Sequence, residues 1–558
     1  MAHAPVWFGG AVRPLFGWFE VPDEGEANAG VVLCPPFGVE SASSNPTLRT
    51  LSRRLAGAGF ATLRFDYDGT GDSSGLEDDP GRVAAWKASI RHAVAFVRST
   101  GCERVAVVGL RLGATLAADE LGGDPVDAVV LWDPCPTGRS FMRQQSMLRK
   151  LIERGHIIDD GTVEGPGLVL YPETVADLGN LKLGEHGQIA KRVLLLTRTL
   201  RPLPSDIRRA WERPGVESVE IEGQEFLVDV EPARAVVPDA TLDTVVAWLS
   251  EVVEGPPVPV AAPPEGAAVV GATPDGRHIA ERPVRLGPHG LFGIETRVEG
   301  EPDGPPVLFL NAGLIDHVGP SRMWVTLARV AAEHGLRSIR FDMSGIGDTP
   351  LRPGSTVRSN RTLDGLADVA DAQRAASPDD PSDVVMVGLC SGTYQAAEAG
   401  LATGAHAIVM INPAFRIGLN VDEPAAATSG IDRQAAESPR TWTQLIPGRP
   451  QIWEVVRRTP EPVWSLINRL AVRNAPSSLL LRLARKGVKV MVVCDDHDGW
   501  VIQRGSYRAL HDARSDGSLQ VEVVDGIDHT LFCRDSRETV MALVAGYLAT
   551  NTREPPTS

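Results

Sequence analysis

The chain has few cysteines, no long apolar run and no excess of basic residues. Six cysteines among 558 residues are too few for a disulfide framework, and none forms the CxxC pair typical of zinc sites. No apolar run reaches the roughly 18–20 residues of a membrane-spanning helix. A net charge of -16 repels nucleic acid and anionic membranes. We therefore expect no metal, no cofactor, no nucleic-acid partner and no membrane partner.

The N-terminal residues also lack the basic start and apolar stretch of a signal peptide. The composition, 43% apolar and 23% charged, is ordinary for a soluble globular protein. A chain of 558 residues exceeds what one hydrophobic core supports, so two or more domains are expected. Together these features predict a cytoplasmic, reduced enzyme.

What the sequence does contain is a long-period repeat. Residues 51–72 are LSRRLAGAGFATLRFDYDGTGD and residues 327–348 are LARVAAEHGLRSIRFDMSGIGD, at an offset of 276 residues throughout. Arg-Phe-Asp and Gly-x-Gly-Asp coincide in the two copies. Chance does not explain so many identities in register, so we infer a tandem duplication.

A proline-rich stretch separates the two copies. Because proline fixes φ and lacks an N–H, this stretch cannot continue a helix or a central strand. We predict a first domain over 1–254, a linker over 255–266, a second domain over 267–550 and a tail over 551–558.

Short apolar runs alternate with helical patterns in both copies. The strands expected in the first copy are 30–33, 105–108, 128–132, 193–196 and 216–221, and in the second copy 307–310, 384–387, 407–411, 488–493 and 519–524. Such runs predict an α/β fold in each copy, with a mostly parallel, doubly wound sheet covered on both faces. Each copy also carries an irregular insert that is predicted to be a helical cap, at about 416–485 in the second copy.

Residues 384–395 of the second copy, VVMVGLCSGTYQ, predict a strand, a tight turn and a helix. Gly388 and Gly392 flank the turn, because a side chain at either position would clash with neighbouring backbone. The frame places Cys390, rather than Ser391, at the apex of the turn. There the positive end of the helix dipole favours a thiolate.

The motifs LNAG, RFDMSGIGD and GLCSG resemble the α/β-hydrolase superfamily, most closely serine-aminopeptidase-like hydrolases and those associated with the exosortase A system. The resemblance covers nearly all of both copies and implies a nucleophile, an acid and a histidine in that order. It selects Cys390, Asp498 and His529, with Asp495 and Asp496 as less favoured acids. His529 would accept the thiol proton while Asp498 orients the imidazolium. The alternative is that both residues are non-catalytic, with Cys390 a small buried side chain and His529 a residue of a surface loop.

The same resemblance implies an oxyanion hole made of backbone N–H groups. Its donors would be Ser391, directly after the nucleophile, and Gly313 or Ala312 in the LNAG loop. His317 follows in that loop and is a candidate either for contact with substrate or for a structural role.

The first copy lacks this chemistry. Its nucleophile, acid and histidine positions hold Arg111, Arg201 and Phe226, and its oxyanion loop is CPPF, in which proline has no N–H to offer. Arg111 would either bind a carboxylate or phosphate, or pair with a local acid as a structural residue. The acids nearby in sequence that could form this pair with Arg111 are Asp66, Asp68 and Asp72.

The leading hypothesis is an acyl-transfer enzyme, a thioesterase or acyltransferase of secondary metabolism, acting through a Cys390 acyl-thioester. Thiols exchange readily with thioesters, so a small acyl ester or a thioester on coenzyme A or a carrier protein is the expected substrate. The alternatives are a carboxylic-ester or lactone hydrolase, and a non-catalytic scaffold or binding protein. We also expect the two domains to pack as an intramolecular pseudo-dimer.

Overall fold

The computed structural model describes residues 2–152, 154–184, 187–253, 255–300, 304–355, 363–413, 476–496, 499 and 512–551. The chain forms two compact units. The first comprises Met1–Lys150 and Ile158–Gly271, and the second comprises Leu151–Ile157 and Ala272–Ser558. Residues 416–475 of the predicted cap and 552–558 of the predicted tail lie outside the described residues.

The proline-rich stretch belongs to the first unit, whereas the sequence predicts a separate linker over 255–266. Val258–Pro259 pairs antiparallel with Glu26–Ala27. Val260 is buried in the core of the first unit, and Val258 and Ala262 pack against the same cluster. The alternating apolar side chains explain the difference, because every second residue of an extended segment faces the same side.

The first unit is built on an eight-stranded sheet. In spatial order its strands are Ala2–Gly9, Pro14–Val21, Phe60–Phe65, Ala29–Cys34, Val105–Leu110, Val126–Trp132, Ala190–Arg198 and Val216–Ile221. The first two strands form an antiparallel hairpin, and the other six run parallel. The helices are Val39–Gly57, Arg82–Ser99, Leu112–Leu121, Gly138–Lys150, Pro172–Leu178, Ser205–Trp211, Glu225–Val228 and Asp239–Val252, with a 3-10 turn at Pro232–Arg234.

The insert of the first unit mixes helix and strand. Between Val126–Trp132 and Ala190–Arg198 it contains two of the helices above and a small antiparallel hairpin, Val163–Gly165 with Leu168–Leu170. This insert is therefore not wholly helical.

The second unit is built on a nine-stranded sheet. In spatial order its strands are Ala268–Ala272, His278–Leu286, Leu291–Val298, Ser338–Phe341, Val307–Phe309, Val385–Leu389, Ala407–Ile411, Lys489–Cys494 and Leu519–Val523. The last six run parallel. The described helices are Met323–Glu333, Leu363–Ala376, Ser391–Ala402, Pro476–Arg485 and Arg534–Asn551, with a 3-10 turn at Pro320–Arg322.

The predicted fold class is confirmed, because both sheets are mostly parallel and carry helices. Central strands such as Val105–Leu110 and Val385–Leu389 are buried along their whole length, as covering on both faces requires. The strands expected at 216–221 and 407–411 match the observed bounds. The antiparallel strands that precede each parallel set are an addition that the sequence reasoning missed.

Among the helices of the described residues, none combines the length and the apolar content needed to cross a lipid bilayer. The described residues also contain no group of three or more His, Cys, Asp or Glu side chains that could hold a metal ion.

Candidate active site

Cys390 lies at a sharp corner between the strand Val385–Leu389 and the helix Ser391–Ala402. Its backbone has φ 53° and ψ -111°, a conformation that residues with a side chain rarely adopt. Two hydrogen bonds hold the corner: the Cys390 N–H donates to the Ile411 carbonyl at 3.0 Å, and the Thr393 hydroxyl donates to the Cys390 carbonyl at 2.6 Å. The strained backbone is thus fixed from both sides.

The two flanking glycines are required by this corner. A Cβ at Gly388 would lie 2.5 Å from the carbonyl carbon of Gly392, which is backbone and cannot move aside. A Cβ at Gly392 would lie 3.0 Å from the carbonyl oxygen of Asn311. The Gly-x-Cys-x-Gly frame therefore has a steric cause in this structure.

Cys390 and Ser391 differ in accessibility although they are adjacent. All six cysteines lie in the described residues; five are buried, and Cys390 alone is partly exposed. Ser391 is 2% exposed, and its hydroxyl accepts a hydrogen bond from the Gly313 N–H at 2.8 Å. Of the two possible nucleophiles at this corner, Cys390 is the more exposed residue.

His529 is exposed in the loop after the last strand, Leu519–Val523. The preceding residue, Asp528, is buried, and its carboxylate accepts N–H bonds from Phe532 at 2.8 Å and Cys533 at 3.1 Å. These bonds close the loop into a compact turn just before the helix Arg534–Asn551. His529 therefore lies in a turn that is closed by hydrogen bonds to the Asp528 carboxylate.

Asn412 links the histidine loop to the corner that holds Cys390. Its buried side-chain amide donates to the carbonyls of Asp528 at 3.1 Å and His529 at 3.0 Å. The residue before it, Ile411, accepts the Cys390 N–H. The Cys390 N–H is thus bonded to Ile411 and the His529 carbonyl to Asn412, and these two partners are consecutive in the chain.

Apolar packing also places Cys390 close to the histidine loop. Cys390 packs against a buried cluster that includes Ile527 and Leu531, the residues two before and two after His529. The sequence reasoning missed Asn412, although a polar residue directly after an apolar strand is the signal that could have found it. Parallel strands end at one edge of the sheet, where such residues meet.

The predicted acid, Asp498, lies outside the described residues, and so its role stays a prediction. The two less favoured acids, Asp495 and Asp496, lie within the described residues and both pair with an arginine. Arg154, in the segment Leu151–Ile157 of the second unit, contacts the Asp495 carboxylate at 2.9 Å and the Asp496 carboxylate at 3.4 Å. Asp498 stays the predicted acid.

The LNAG loop packs against the start of the helix that follows Cys390. The Gly313 N–H, a predicted oxyanion donor, donates to the Ser391 hydroxyl, and Ala312 is buried. For the Gly313 N–H to reach a substrate oxygen, the Ser391 side chain would have to turn away. The Ser391 N–H and Ala312 N–H remain predicted donors.

His317 is held inside the protein by the aspartate of the RFD motif. Its ring Nδ1 lies 2.8 Å from one Asp342 oxygen, and its backbone N–H donates to the other at 2.7 Å. The same carboxylate accepts from Asn311 at 3.2 Å and from the Asp348 N–H at 3.2 Å. Asp342 therefore fixes the whole LNAG loop, and this geometry favours the structural role for His317.

Arg111 occupies the same kind of corner in the first unit, with φ 55° and ψ -122°. A Cβ at Gly109 would lie 2.5 Å from the Ala114 Cα, so the glycine requirement is the same. The Arg111 N–H donates to the Trp132 carbonyl at 3.0 Å, as Cys390 does to Ile411. The corners of the two units thus have nearly the same backbone conformation, but the apex of the first one is an arginine.

The partners of Arg111 are not the acids of the repeat motif. The guanidinium contacts Glu40 at 3.3 Å, Asp133 at 3.4 Å and the Gln144 oxygen at 2.7 Å. The motif acids are used locally: Asp66 accepts the Asp72 N–H at 3.0 Å, and Asp68 pairs with Arg13 and Arg82. Glu40 lies 71 residues before Arg111, which is why proximity in sequence pointed to the wrong acids.

The other two replaced positions of the first unit also hold no catalytic group. Arg201 is largely exposed and lies 3.7 Å from the Asp229 carboxylate. Phe226 lies in the short helix Glu225–Val228.

Comparison with known proteins agrees with this fold. Residues 307–542 match the sequence model of the alpha/beta hydrolase family. Among solved structures, Est1E from Butyrivibrio proteoclasticus with bound ferulic acid is 16% identical, with a TM-score of 0.35, over 44% of this chain and 99% of that one. The proline iminopeptidase of Mycobacterium smegmatis is 13% identical, with a TM-score of 0.32, over 45% and 99%.

A third structure, the esterase domain of a Rhodothermus marinus protein, is 17% identical, with a TM-score of 0.33, over 45% of this chain and 100% of that one. The search of curated proteins found no match. The family match covers residues 307–542 of the second unit, and both units have a mostly parallel sheet with helices, as an α/β-hydrolase fold requires.

Proposed function

We propose that the second unit is an enzyme that transfers acyl groups through a Cys390 thioester, as a thioesterase or an acyltransferase. The observation that carries the proposal is the pair of hydrogen bonds at Ile411 and Asn412, which ties the cysteine corner and the histidine loop to adjacent residues. The partial exposure of Cys390, against the burial of Ser391, supports sulfur as the nucleophile.

The chemistry follows the usual division of roles in such a site. His529 takes the proton of the Cys390 thiol, and the thiolate attacks the carbonyl carbon of the substrate. The tetrahedral intermediate expels the leaving thiolate or alkoxide, which receives the proton from His529. Water or an acceptor alcohol or amine then attacks the acyl-enzyme with His529 as general base, and releases the Cys390 thiolate.

Backbone N–H groups at the start of the helix Ser391–Ala402 would stabilise the oxyanion in both steps. Loss of one such donor typically costs about 3 kcal/mol of activation free energy. Asp498 would hold the histidine ring in the required tautomer. A free thiol is only a few per cent thiolate at neutral pH, so the histidine has a substantial effect on its reactivity.

The family match supports the coarser part of the proposal, namely that the protein is a hydrolase. The thiol nucleophile favours thioesters over oxygen esters, because the attacking and leaving groups are then chemically alike. Hydrolysis of a carboxylic ester or lactone is the second candidate, and it uses the same residues.

The test compares hydrolysis of butyryl-coenzyme A and p-nitrophenyl butyrate by the full chain and by two neighbouring variants. We expect Cys390→Ala to lose activity towards both substrates, while Ser391→Ala keeps most of it. Faster turnover of the thioester supports the thioesterase assignment, and turnover of the oxygen ester alone supports the ester hydrolase. Full activity of Cys390→Ala, or inactivity of the wild type towards every ester and thioester, would overturn the proposal in favour of a scaffold.

A further inference from the structure

The first unit contains a cavity of about 150 Å³ at the corner occupied by Arg111. Its wall includes three arginines, Arg111, Arg198 and Arg201, and a single carboxylate, Asp133. The rest of the wall is largely apolar, with Phe141, Leu203 and three prolines. The cavity wall therefore combines cationic and apolar side chains.

Arg111 makes only long contacts with its acidic protein partners. None of its contacts with the carboxylates of Glu40 and Asp133 is shorter than 3.3 Å, and its one short bond is to the neutral Gln144. Charged guanidinium–carboxylate bonds normally lie at about 2.7–2.9 Å. An incoming carboxylate can therefore compete with these long contacts by approaching the guanidinium more closely.

Arg198 provides the second donor. Its Nε donates to Asp133 and its Nη1 to Asp229, but its Nη2 has no hydrogen-bond partner within the described part of the chain. The side chain is 4% exposed. A buried N–H without an acceptor is unfavourable, and a ligand oxygen that displaced the neighbouring contacts and reached Nη2 would satisfy it.

The negative charges that balance these arginines do not face the cavity. Glu40 and Asp229 contact Arg111 and Arg198 but are not part of the wall. Burial raises the pKa of Glu40 above its ordinary value, although Arg111 opposes the shift, and this further weakens its competition with an incoming anion.

Among the described residues, the wall of the cavity contains no histidine that would activate a nucleophile as a general base. Cys135 is in the wall, but burial raises the pKa of its thiol to about 12. Cys34 of the CPPF loop is also buried, and burial raises its pKa to about 12 as well. The cavity is therefore suited to reversible binding rather than to acyl transfer.

We infer that the first unit binds a small organic monocarboxylate in this cavity, with its carboxylate on Arg111 and Arg198 and its hydrocarbon part against Phe141 and Leu203. A cavity of about 150 Å³ accommodates a molecule of roughly benzene's size. The planar fork of a guanidinium matches a carboxylate, and an inorganic anion would leave the apolar wall unfilled.

The test is calorimetric titration of the full chain with butyrate and benzoate, with butyramide and inorganic phosphate as matched controls. We expect saturable one-to-one binding of the carboxylates and none of butyramide. The double variant Arg111→Gln/Glu40→Gln removes both charges of the pair together, and should abolish binding. Gly546→Ala, which alters only the helix Arg534–Asn551 of the second unit, should bind as the wild type does.

Arg201→Gln provides a second variant in case the double variant does not fold, because Arg201 is exposed and its removal leaves no buried charge. We expect it to weaken butyrate binding about threefold to fivefold. Equal binding of butyramide, binding of phosphate as tight as that of butyrate, or undiminished binding in the folded double variant would each overturn the inference. The last result would locate the bound acid outside this cavity, whatever the second unit catalyses.

Discussion

Single residues distinguish the corresponding strand-to-helix corners of the two units. Cys390 and Arg111 have nearly the same backbone geometry and donate through their N–H groups in the same way. Asn412 and Asp133, which follow the neighbouring strand in each unit, also share a positive φ, at 43° and 45°. In the second unit the asparagine holds the histidine loop, whereas in the first unit the aspartate binds arginines.

Asn412 is a positioning residue, because it acts on His529 through backbone carbonyls. Its replacement in Asn412→Ala leaves two carbonyls without their donor, and the histidine loop loses its link to the cysteine corner. We expect kcat to fall about tenfold to a hundredfold with a small change in KM, since misplacement of a catalytic group acts on the reacting geometry. Steady-state kinetics over pH 5–9 would check this.

A merely structural role for Asn412 predicts a different result. The melting temperature of Asn412→Ala would then fall while kcat of the folded enzyme and its pH profile stayed unchanged. His529→Ala serves as the reference, because Asn412→Ala should show part of the decrease in kcat that His529→Ala shows. Asn412→Gln should recover some of the kcat that Asn412→Ala loses.

At the scale of elements, the strand-to-helix corner is the feature that the sequence predicts best. The glycine frame around Cys390 identifies the turn because backbone crowding is a local property. By contrast, the antiparallel strands Pro14–Val21 and Leu291–Val298 depend on pairing with strands about 45 residues later, and apolar runs alone do not reveal such pairing.

Gly388→Ala tests the steric requirement of the corner. A methyl group there meets the backbone of Gly392 at 2.5 Å, so we expect a loss of about 1–3 kcal/mol in the free energy of unfolding. Gly546→Ala is the matched control, because Gly546 lies in the helix Arg534–Asn551 with nothing within 4 Å of a new Cβ. That variant should be stabilised by up to about 1 kcal/mol. Urea unfolding of the second unit measures both, and equal stability of the two variants would contradict the steric account.

A buried ion-pair network joins three further elements of the second unit. Glu281, in the strand His278–Leu286, contacts Arg340 of the RFD motif and Arg329 of the helix Met323–Glu333, each at 3.0 Å. Burial alone would raise the pKa of Glu281, but the two guanidinium groups outweigh it and lower the pKa from 4.5 to about 2. The folded state therefore favours the carboxylate.

The sign of the pH dependence follows from this lowered pKa. The stabilisation is fully present above pH 4.5 and is lost as the pH falls from 4.5 towards 2, by up to about 3 kcal/mol. Glu281→Gln should destabilise the second unit at pH 7 and show a shallower loss of stability below pH 4.5. Urea unfolding of both proteins at pH 7, 4.5 and 3 measures the difference, and parallel pH profiles would contradict the prediction.

At the scale of the whole molecule, local patterns predict the α/β fold, the strand positions and the cysteine corner. The contacts that complete each site were not predictable, because they join residues far apart in the chain. Glu40 reaches Arg111 over 71 residues, and Asn412 reaches the His529 carbonyl over 117. The ordered proline-rich stretch is a third case, since its strand pairs with Glu26–Ala27.

The central claim is that Cys390, and no other residue, carries the acyl group. Its most direct test is intact-mass analysis of the full chain after brief incubation with p-nitrophenyl butyrate or butyryl-coenzyme A, followed by peptide mapping. We predict a single butyryl adduct on the peptide that contains Cys390, absent from Cys390→Ala and retained in Ser391→Ala. An adduct on Ser391, or a wild-type chain that stays unmodified with both donors, would contradict the account.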